Sequence, residues 1–375
     1  MKVLSQSSSS SNDGAFINDD DEHEHEKTGK EGGANMAEKL KVGVIGGGAI
    51  AQQGHLPFYN AHKAVGSIVV ADPSAERQGE ITAQFKKVQR VYADYRDLLK
   101  QESLDCLSVC APNFLHARLT VAAAERGVHV LCEKPMALSL AEARRMIAAC
   151  RHNHVHLMIN LTHRFFLGTR KLKALLDQGK IGAPHTLRIR YVHNGPYAGW
   201  AKSDWFYKAR EAGGGALMDM GVHAVDIGHF LFGPIRAVSA SLANLTKQIP
   251  VEDSAMILAE FDGGRRAFIE AGWTGGAGFS GIEVCGAKGS ITMDFRKGLF
   301  LTTGQSLPDG SMAIKEKQIA CDLMAGGWGA GIQSFLQHVQ AGTAPECDGE
   351  AGLAAIQVVL AAYRSAKSGR RVTIK

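Results

Sequence analysis

The chain has 375 residues, 45% of them hydrophobic and 21% charged, with a formal net charge of +5. That length predicts two domains, and the composition is ordinary for a soluble globular enzyme. No uninterrupted apolar run approaches the roughly 20 residues of a membrane span, and the N-terminus lacks the basic start and apolar core of a secretory signal. The expectation is a cytoplasmic protein without a membrane partner.

Residues 1–35 hold three Lys and eight Asp or Glu, so the remaining chain carries about +10. Ser7 to Ser11 and the run DDDEHEHE from Asp19 to Glu26 are too polar to offset the entropy of ordering them, and residues 1–36 are expected to be a disordered acidic tail. Met36 offers an alternative start. Basic residues of the body are dispersed without interleaved aromatics, which argues against nucleic acid and for an anionic small ligand. The seven cysteines are an odd number without a CxxC pair and read as reduced, mostly buried thiols.

From Leu40, KVGVIGGGAIAQQGHLPFY reads as a strand, a glycine turn and a helix start. In the pattern G-x-G-x-x-G/A, Gly46 permits the sharp turn, Gly48 lets a pyrophosphate approach the backbone, and Ala51 lets the helix pack near the strand. The amides of the helix start, at Ala49 and Ile50, would face the phosphates. A second strand, Ser67 to Ala71, ends at Asp72, where a carboxylate accepts both adenosine ribose hydroxyls and disfavours a 2′-phosphate. NAD is therefore the expected cofactor, and nearby Ser74 and Arg77 leave NADP open. The competing role for Asp72 is capping the next helix.

A third strand is expected over Leu104 to Pro112, then a helix stopped by Gly127, then a strand from Val128 to Cys132 that delivers Glu133, Lys134 and Pro135 at its C-terminal end. Helix (Leu140 to Cys150), strand (His156 to Asn160) and helix (Arg170 to Gln178) continue the alternation. This is α/β: an N-terminal Rossmann dinucleotide-binding domain, residues 37–160. Runs such as PHTLRIRYV, RAVSASLANL, SAMILAEFD, RRAFIEAGW, GIEVCGAKGSITMDF and LFLTT then alternate as strands with one covered face. They predict an α+β domain, residues 161–375, with an open, mainly antiparallel sheet. Gly275 to Gly281 and Gly326 to Gly331 read as loops, and Glu350 to Lys367 as a closing helix before the strand RVTIK.

GGGALMDMGVHAVD places Asp219 and His223 four residues apart, on one face if the segment is helical. Oxidising an alcohol with a nicotinamide needs a base for the hydroxyl proton while hydride leaves carbon. His223 suits that near neutral pH, Asp219 can orient it or share the hydroxyl, and Lys134 can stabilise the developing charge on oxygen. Asp219, His223 and Asp226 as metal ligands are the minor alternative, and no metal is expected. Trp200, Trp205, Tyr191, Asn194 and Trp328 are open between sugar contacts and core filling.

These segments in this order resemble the oxidoreductase family named for glucose-fructose oxidoreductase, inositol dehydrogenase and MocA. The motifs are VGVIGGGAIA, VADPSAER, APNFLHA, GVHVLCEKP, NLTHRF with KLKALLDQGKIG, and GGGALMDMGVHAVD. The resemblance covers nearly everything from Lys41 onward. It implies Lys134 as the catalytic lysine near the nicotinamide, with Asp219 and His223 as substrate hydroxyl ligands and His223 as general base. It implies that Pro112, Asn113 and His116 line the cofactor, that Glu133 contacts the nicotinamide ribose, and that Arg164 reaches cofactor or substrate. NLTHRF departs from the more usual NRRF type, so His163 receives no role. The implied activity is NAD(P)-dependent hydride transfer at a hydroxyl-bearing carbon of a sugar, cyclitol or related derivative. The partners would be a small sugar or polyol substrate and further copies of the chain, as a dimer or tetramer through the second-domain sheet. An NAD-dependent glycosidase using transient oxidation and a non-catalytic dinucleotide-sensing regulator are the alternatives; retention of Lys134, Asp219 and His223 argues against the regulator.

Overall fold

Hydrophobic β-branched runs alternating with capped helices produce the first half of the molecule. The computed structural model describes residues 39–196 and 203–374, so the acidic tail and Trp200 lie outside the described residues. Strands β1 (Leu40–Ile45), β2 (Val65–Ala71), β3 (Val88–Tyr92), β4 (Cys106–Val109), β5 (His129–Cys132) and β6 (Leu157–Ile159) form a parallel sheet in the order β3-β2-β1-β4-β5-β6. Every residue of β4 is buried, as a sheet covered on both faces requires. Intervening helices begin where the sequence offers caps: Ser74 accepts from Arg77 N (3.3 Å), Asp94 from Arg96 N (2.8 Å) and Ser139 from Glu142 N (3.2 Å). Strand order reverses beside β1, which opens a crevice at the C-terminal ends of β1 and β4.

β3 corrects the reading of this region. The strand expected third is fourth, and Glu133-Lys134-Pro135 follows the fifth. VQRVY lies at the sheet edge with Gln89 and Arg90 exposed, so its apolar signal is weak.

The second sheet has nine strands: β7 (Pro184–Val192), β8 (Ile235–Ala243), β9 (Ser254–Phe261), β10 (Arg266–Gly272), β11 (Gly281–Gly286), β12 (Gly289–Asp294), β13 (Gly298–Ser306), β14 (Met312–Ile319) and β15 (Val372–Thr373). Their order is β14-β13-β12-β11-β7-β10-β9-β8-β15; only β7 and β10 pair in parallel, so the sheet is mixed and mainly antiparallel. On β9, Ala255, Ile257 and Ala259 are buried while Met256 and Leu258 are exposed, the alternation of a sheet covered on one face. Helices Leu167–Asp177, Val222–Phe232 and Gly349–Ser368 lie against the covered face. The last of these also packs on β6 and on helix Leu140–His152, so one apolar core runs through both sheets, and the chain from Lys39 onward is one compact unit.

Two further readings change. Gly326 to Gly331 is not a loop: after a turn at Gly326 (φ +91°), helix Gly327–Ala341 begins, its glycines allowing close packing on Phe165 and Asn160. β14 was hidden by its Lys-Glu-Lys composition. No helix among the described residues is long and apolar enough to cross a membrane.

Candidate active site in the cleft between the sheets

A cleft of about 1280 Å³ runs from the glycine turn after β1 to the Gly213–Gly215 segment. Gly46, Gly48, Ala49, Ile50, Asp72, Pro112, Asn113, His116, Glu133, Lys134, Asp219 and His223 all line it. Gly46 has φ +95°, and a Cβ there would meet the Cys110 carbonyl at 2.7 Å, so the turn needs glycine. Gly48 faces open space, leaving the backbone accessible to a diphosphate beside the helix start. Asp72 is buried: Oδ2 accepts from Gly47 N (2.7 Å), Oδ1 from Ser74 N (2.8 Å), and Arg77 Nη1 lies 3.5 Å away. The helix cap is Ser74, so the carboxylate instead braces the glycine turn. This cradle fits a dinucleotide.

At the other end, Lys134 Nζ donates to Asp219 Oδ1 (2.6 Å) and to the Asp219 carbonyl (3.1 Å). Trp273 Nε1 donates to Oδ2 (3.1 Å), and His193 Nε2 lies 3.9 Å from the same oxygen. Burial alone would raise the Asp219 pKa, but the Lys134 ammonium, His193 and the indole N–H hold it below the usual carboxylate value. His223 lies under a second imidazole, His163, with ring centres 4.0 Å apart and planes inclined by 11°. Burial first, then His163, Lys134 and His193, push the His223 pKa well below 6.5, so the ring is neutral at pH 7. His163 is pushed down to about 3, by burial and by Lys134.

Asp219 lies in a π-turn, Leu217–Gly221, and His223 in the α-helix that follows, Val222–Phe232, rather than both in one regular helix. The glycine run is what lets this turn start. A Cβ on Gly214 would overlap the Tyr363 hydroxyl, and one on Gly215 would overlap the Glu252 carbonyl. Glu252 Oε1 accepts from Gly215 N (2.9 Å), Leu217 N (3.0 Å) and the Tyr363 hydroxyl (2.7 Å), tying the turn to the C-terminal helix.

Comparison with known proteins agrees with this geometry. The model of the NAD-binding Rossmann-fold oxidoreductase family, GFO_IDH_MocA, matches residues 40–161, and that of the GFO/IDH/MocA C-terminal domain matches residues 169–292. The chain belongs to the Gfo/Idh/MocA oxidoreductase family. It is 28% identical to D-glucoside 3-dehydrogenase of Escherichia coli, covering 91% of this chain and 99% of that protein. It is 27% identical to myo-inositol 2-dehydrogenase of Thermotoga maritima, covering 90% and 99%. The structure of GenD2 from gentamicin A biosynthesis in complex with NAD superposes with a TM-score of 0.78 at 26% identity, covering 92% and 98%.

Within this Gfo/Idh/MocA member some expected residues serve the scaffold. Arg164 does not line the cleft: its Nε donates to both Asp226 carboxylate oxygens (2.9 and 3.1 Å) and its Nη2 to Oδ1 (2.5 Å), a buried fork-to-fork pair. The guanidinium is thereby engaged by Asp226. The ring nitrogens of His116 face the Pro135 and Ala111 carbonyls at 2.8 Å each, clamping the segment that carries Lys134. Asn113 Nδ2 donates to the Ala212 carbonyl (2.8 Å), linking the two halves of the cleft. Glu133 Oε1 accepts from Asn160 Nδ2 (2.6 Å) and pairs with His55 Nε2 (2.8 Å), and His55 Nδ1 meets Ser108 Oγ (2.9 Å).

Trp205 and Trp328 line the cleft; Tyr191 is buried against His163, and exposed Asn194 does not line it. Sequence reasoning missed His193, Trp273, Glu252 and His55. The first two follow Val192 and Gly272, which are register partners at the ends of parallel β7 and β10; that pairing, invisible in sequence, brings both side chains to Asp219.

Proposed function

We propose that this family member is an NAD(P)-dependent dehydrogenase or reductase moving a hydride between nicotinamide and a hydroxyl-bearing carbon of a sugar, cyclitol or related derivative. The observation that carries the reading is the Lys134–Asp219 pair (2.6 Å), with His223, in the same cleft as the glycine cradle. Relatives named for a glucoside and for myo-inositol support this substrate class. The cleft exceeds the ~300–1,000 Å³ of common small-molecule sites, leaving room for a dinucleotide with a sugar ring.

When bound, nicotinamide supplies the hydride acceptor or donor. Lys134 turns from Asp219 to the reacting oxygen and stabilises its negative charge. Neutral His223 takes the hydroxyl proton, and Asp219 accepts a hydrogen bond from a substrate hydroxyl. Asp72 holds the adenosine ribose and favours NAD, with Arg77 beside it as the group that admits NADP. The exposed outer face of the nine-stranded sheet, including Met256 and Leu258, joins copies of the chain in a homo-oligomer.

Calorimetry with NAD and NADP, followed by an absorbance screen of polyols, aldoses and keto-sugars, tests the reading. Binding of at least one dinucleotide and reduction of it by a polyol or aldose are expected. Failure to bind either cofactor sinks the proposal.

A further inference from the structure

His55 has no role in the reading above, yet it is wholly buried at the end of the π-turn Ala51–His55 that follows the glycine turn. Its Nε2 lies 2.8 Å from Glu133 Oε1 and its Nδ1 2.9 Å from Ser108 Oγ, which in turn lies 2.7 Å from the Tyr59 hydroxyl. Tyr59 and Ser108 have no other side-chain partner among the described residues. One arrangement places every proton in this chain: Tyr59 O–H donates to Ser108 Oγ, Ser108 O–H to His55 Nδ1, and His55 Nε2–H to Glu133 Oε1. Tyr59 is itself fully buried, so the chain carries no proton to solvent and instead fixes a donor on Glu133.

Asn160 Nδ2 donates to the same Glu133 oxygen (2.6 Å). The other oxygen, Oε2, has the Lys134 amide at 3.3 Å as its one hydrogen-bond donor among the described residues, and Glu133 lines the cleft. Burial alone would raise the Glu133 pKa, but His55, Asn160 and Lys134 hold it below the usual carboxylate value. Oε2 is therefore an ionised acceptor with lone pairs left for a donor in the cleft.

The sheet order selects that donor. The glycine turn follows β1, Asp72 follows β2 on one side of it, and Glu133 follows β5 on the other. A dinucleotide with its diphosphate at the turn extends one ribose toward each side. Glu133 adjoins Lys134, whose ammonium meets Asp219, so its side is the reacting end.

We propose that His55 is a positioning residue for the cofactor: with Asn160 it holds Glu133 Oε1 so that Oε2 accepts a hydroxyl of the ribose that carries the nicotinamide. This rests on the dehydrogenase reading.

The test is calorimetry of NAD, ADP-ribose and ADP on the full chain, wild type against His55→Phe and His55→Gln. ADP lacks the second ribose. Phenylalanine keeps a flat ring without donors, whereas glutamine can present an N–H where Nε2 stands. His55→Phe should weaken NAD and ADP-ribose about tenfold, as expected for losing a hydrogen bond to a charged group, and leave ADP unchanged. It should also raise KM for NAD more than it lowers kcat, and His55→Gln should recover most of the NAD affinity. An equal loss for ADP, or unchanged NAD affinity in folded His55→Phe, overturns the proposal. If His55→Phe fails to fold, NMR of the wild type decides: the His55 Nε2–H signal, assigned with His55→Gln, should shift with NAD or ADP-ribose and stay put with ADP. A signal that answers equally to ADP, or to none of the three, overturns the proposal. A wild type that binds no dinucleotide overturns the dehydrogenase reading and the proposal together, whereas NAD binding that His55→Phe leaves intact overturns the proposal alone.

Discussion

Replacing Lys134 by Met isolates what the ammonium does for Asp219. The two side chains are 19% and 12% exposed and their charged atoms lie 2.6 Å apart, so the pair is nearly desolvated. Methionine fills similar space and leaves the carboxylate with Trp273 Nε1 and the more distant His193. Breaking a buried pair costs about 3–5 kcal/mol; some residual solvent access places this case at the lower end, about 3 kcal/mol. Losing the ammonium removes the main cause of the depressed Asp219 pKa, which therefore rises.

The sign follows from linkage. In wild type the Asp219 pKa is depressed, so its contribution is present above the unfolded pKa and is lost as pH falls through the folded value. In the variant the folded pKa is raised, so the penalty is present at neutral pH and is relieved by protonation. Urea unfolding of wild type, Lys134→Met, Asp219→Asn and the double variant at pH 7 and pH 4.5 measures the coupling. A stability gap shrinking toward pH 4.5 and a coupling energy near ~3 kcal/mol are expected. Turnover should fall by about 10² or more while NAD affinity changes little. A gap independent of pH, or coupling below about 1 kcal/mol, refutes the electrostatic reasoning; unchanged turnover in a folded variant refutes the chemical role.

Arg164→Met should destabilise by about 3–5 kcal/mol, because it strands the buried Asp226 carboxylate, yet shift the NAD dissociation constant little; calorimetry and urea unfolding together check this. Gly46→Ala should lower stability and abolish dinucleotide binding, whereas Gly48→Ala, facing open space, should fold normally and lose affinity alone, a contrast that thermal melts with and without NAD resolve. His163 and His223 have folded pKa values below that of unfolded histidine, so the unfolded chain binds more protons and stability should fall as pH drops from 6.5 to 4. The slope approaches about 1.4 kcal/mol per pH unit for each buried imidazole, and melts of His163→Phe should show a shallower decline.

Much of the fold was legible because its elements carry local signals. β1, β2 and β7 announce themselves by apolar runs or alternation, and the Gly46 turn by a glycine that a positive φ requires. β3 and β14 were not, since an edge strand and an exposed strand bury too little to need an apolar pattern. The candidate site divides the same way. Lys134, Asp219 and His223 could be picked out because motif spacing ties each to a strand end or helix face. His193 and Trp273 reach the site from just beyond two strand ends, Glu252 from a loop and Tyr363 from a helix, with no local mark of function.

By itself, then, the sequence determined the nucleotide turn, the alternation that builds the parallel sheet, and the residue types from which hydride-transfer chemistry can be assembled, because backbone sterics and burial act on neighbours in the chain. Tertiary structure alone decided that Arg164 belongs to Asp226, that Glu252 and Tyr363 seat the glycine run, and that His163 lies flat on His223. Those outcomes depend on which distant groups share a low-dielectric space, where a charge or ring nitrogen takes its character from whatever the fold places within a few ångströms.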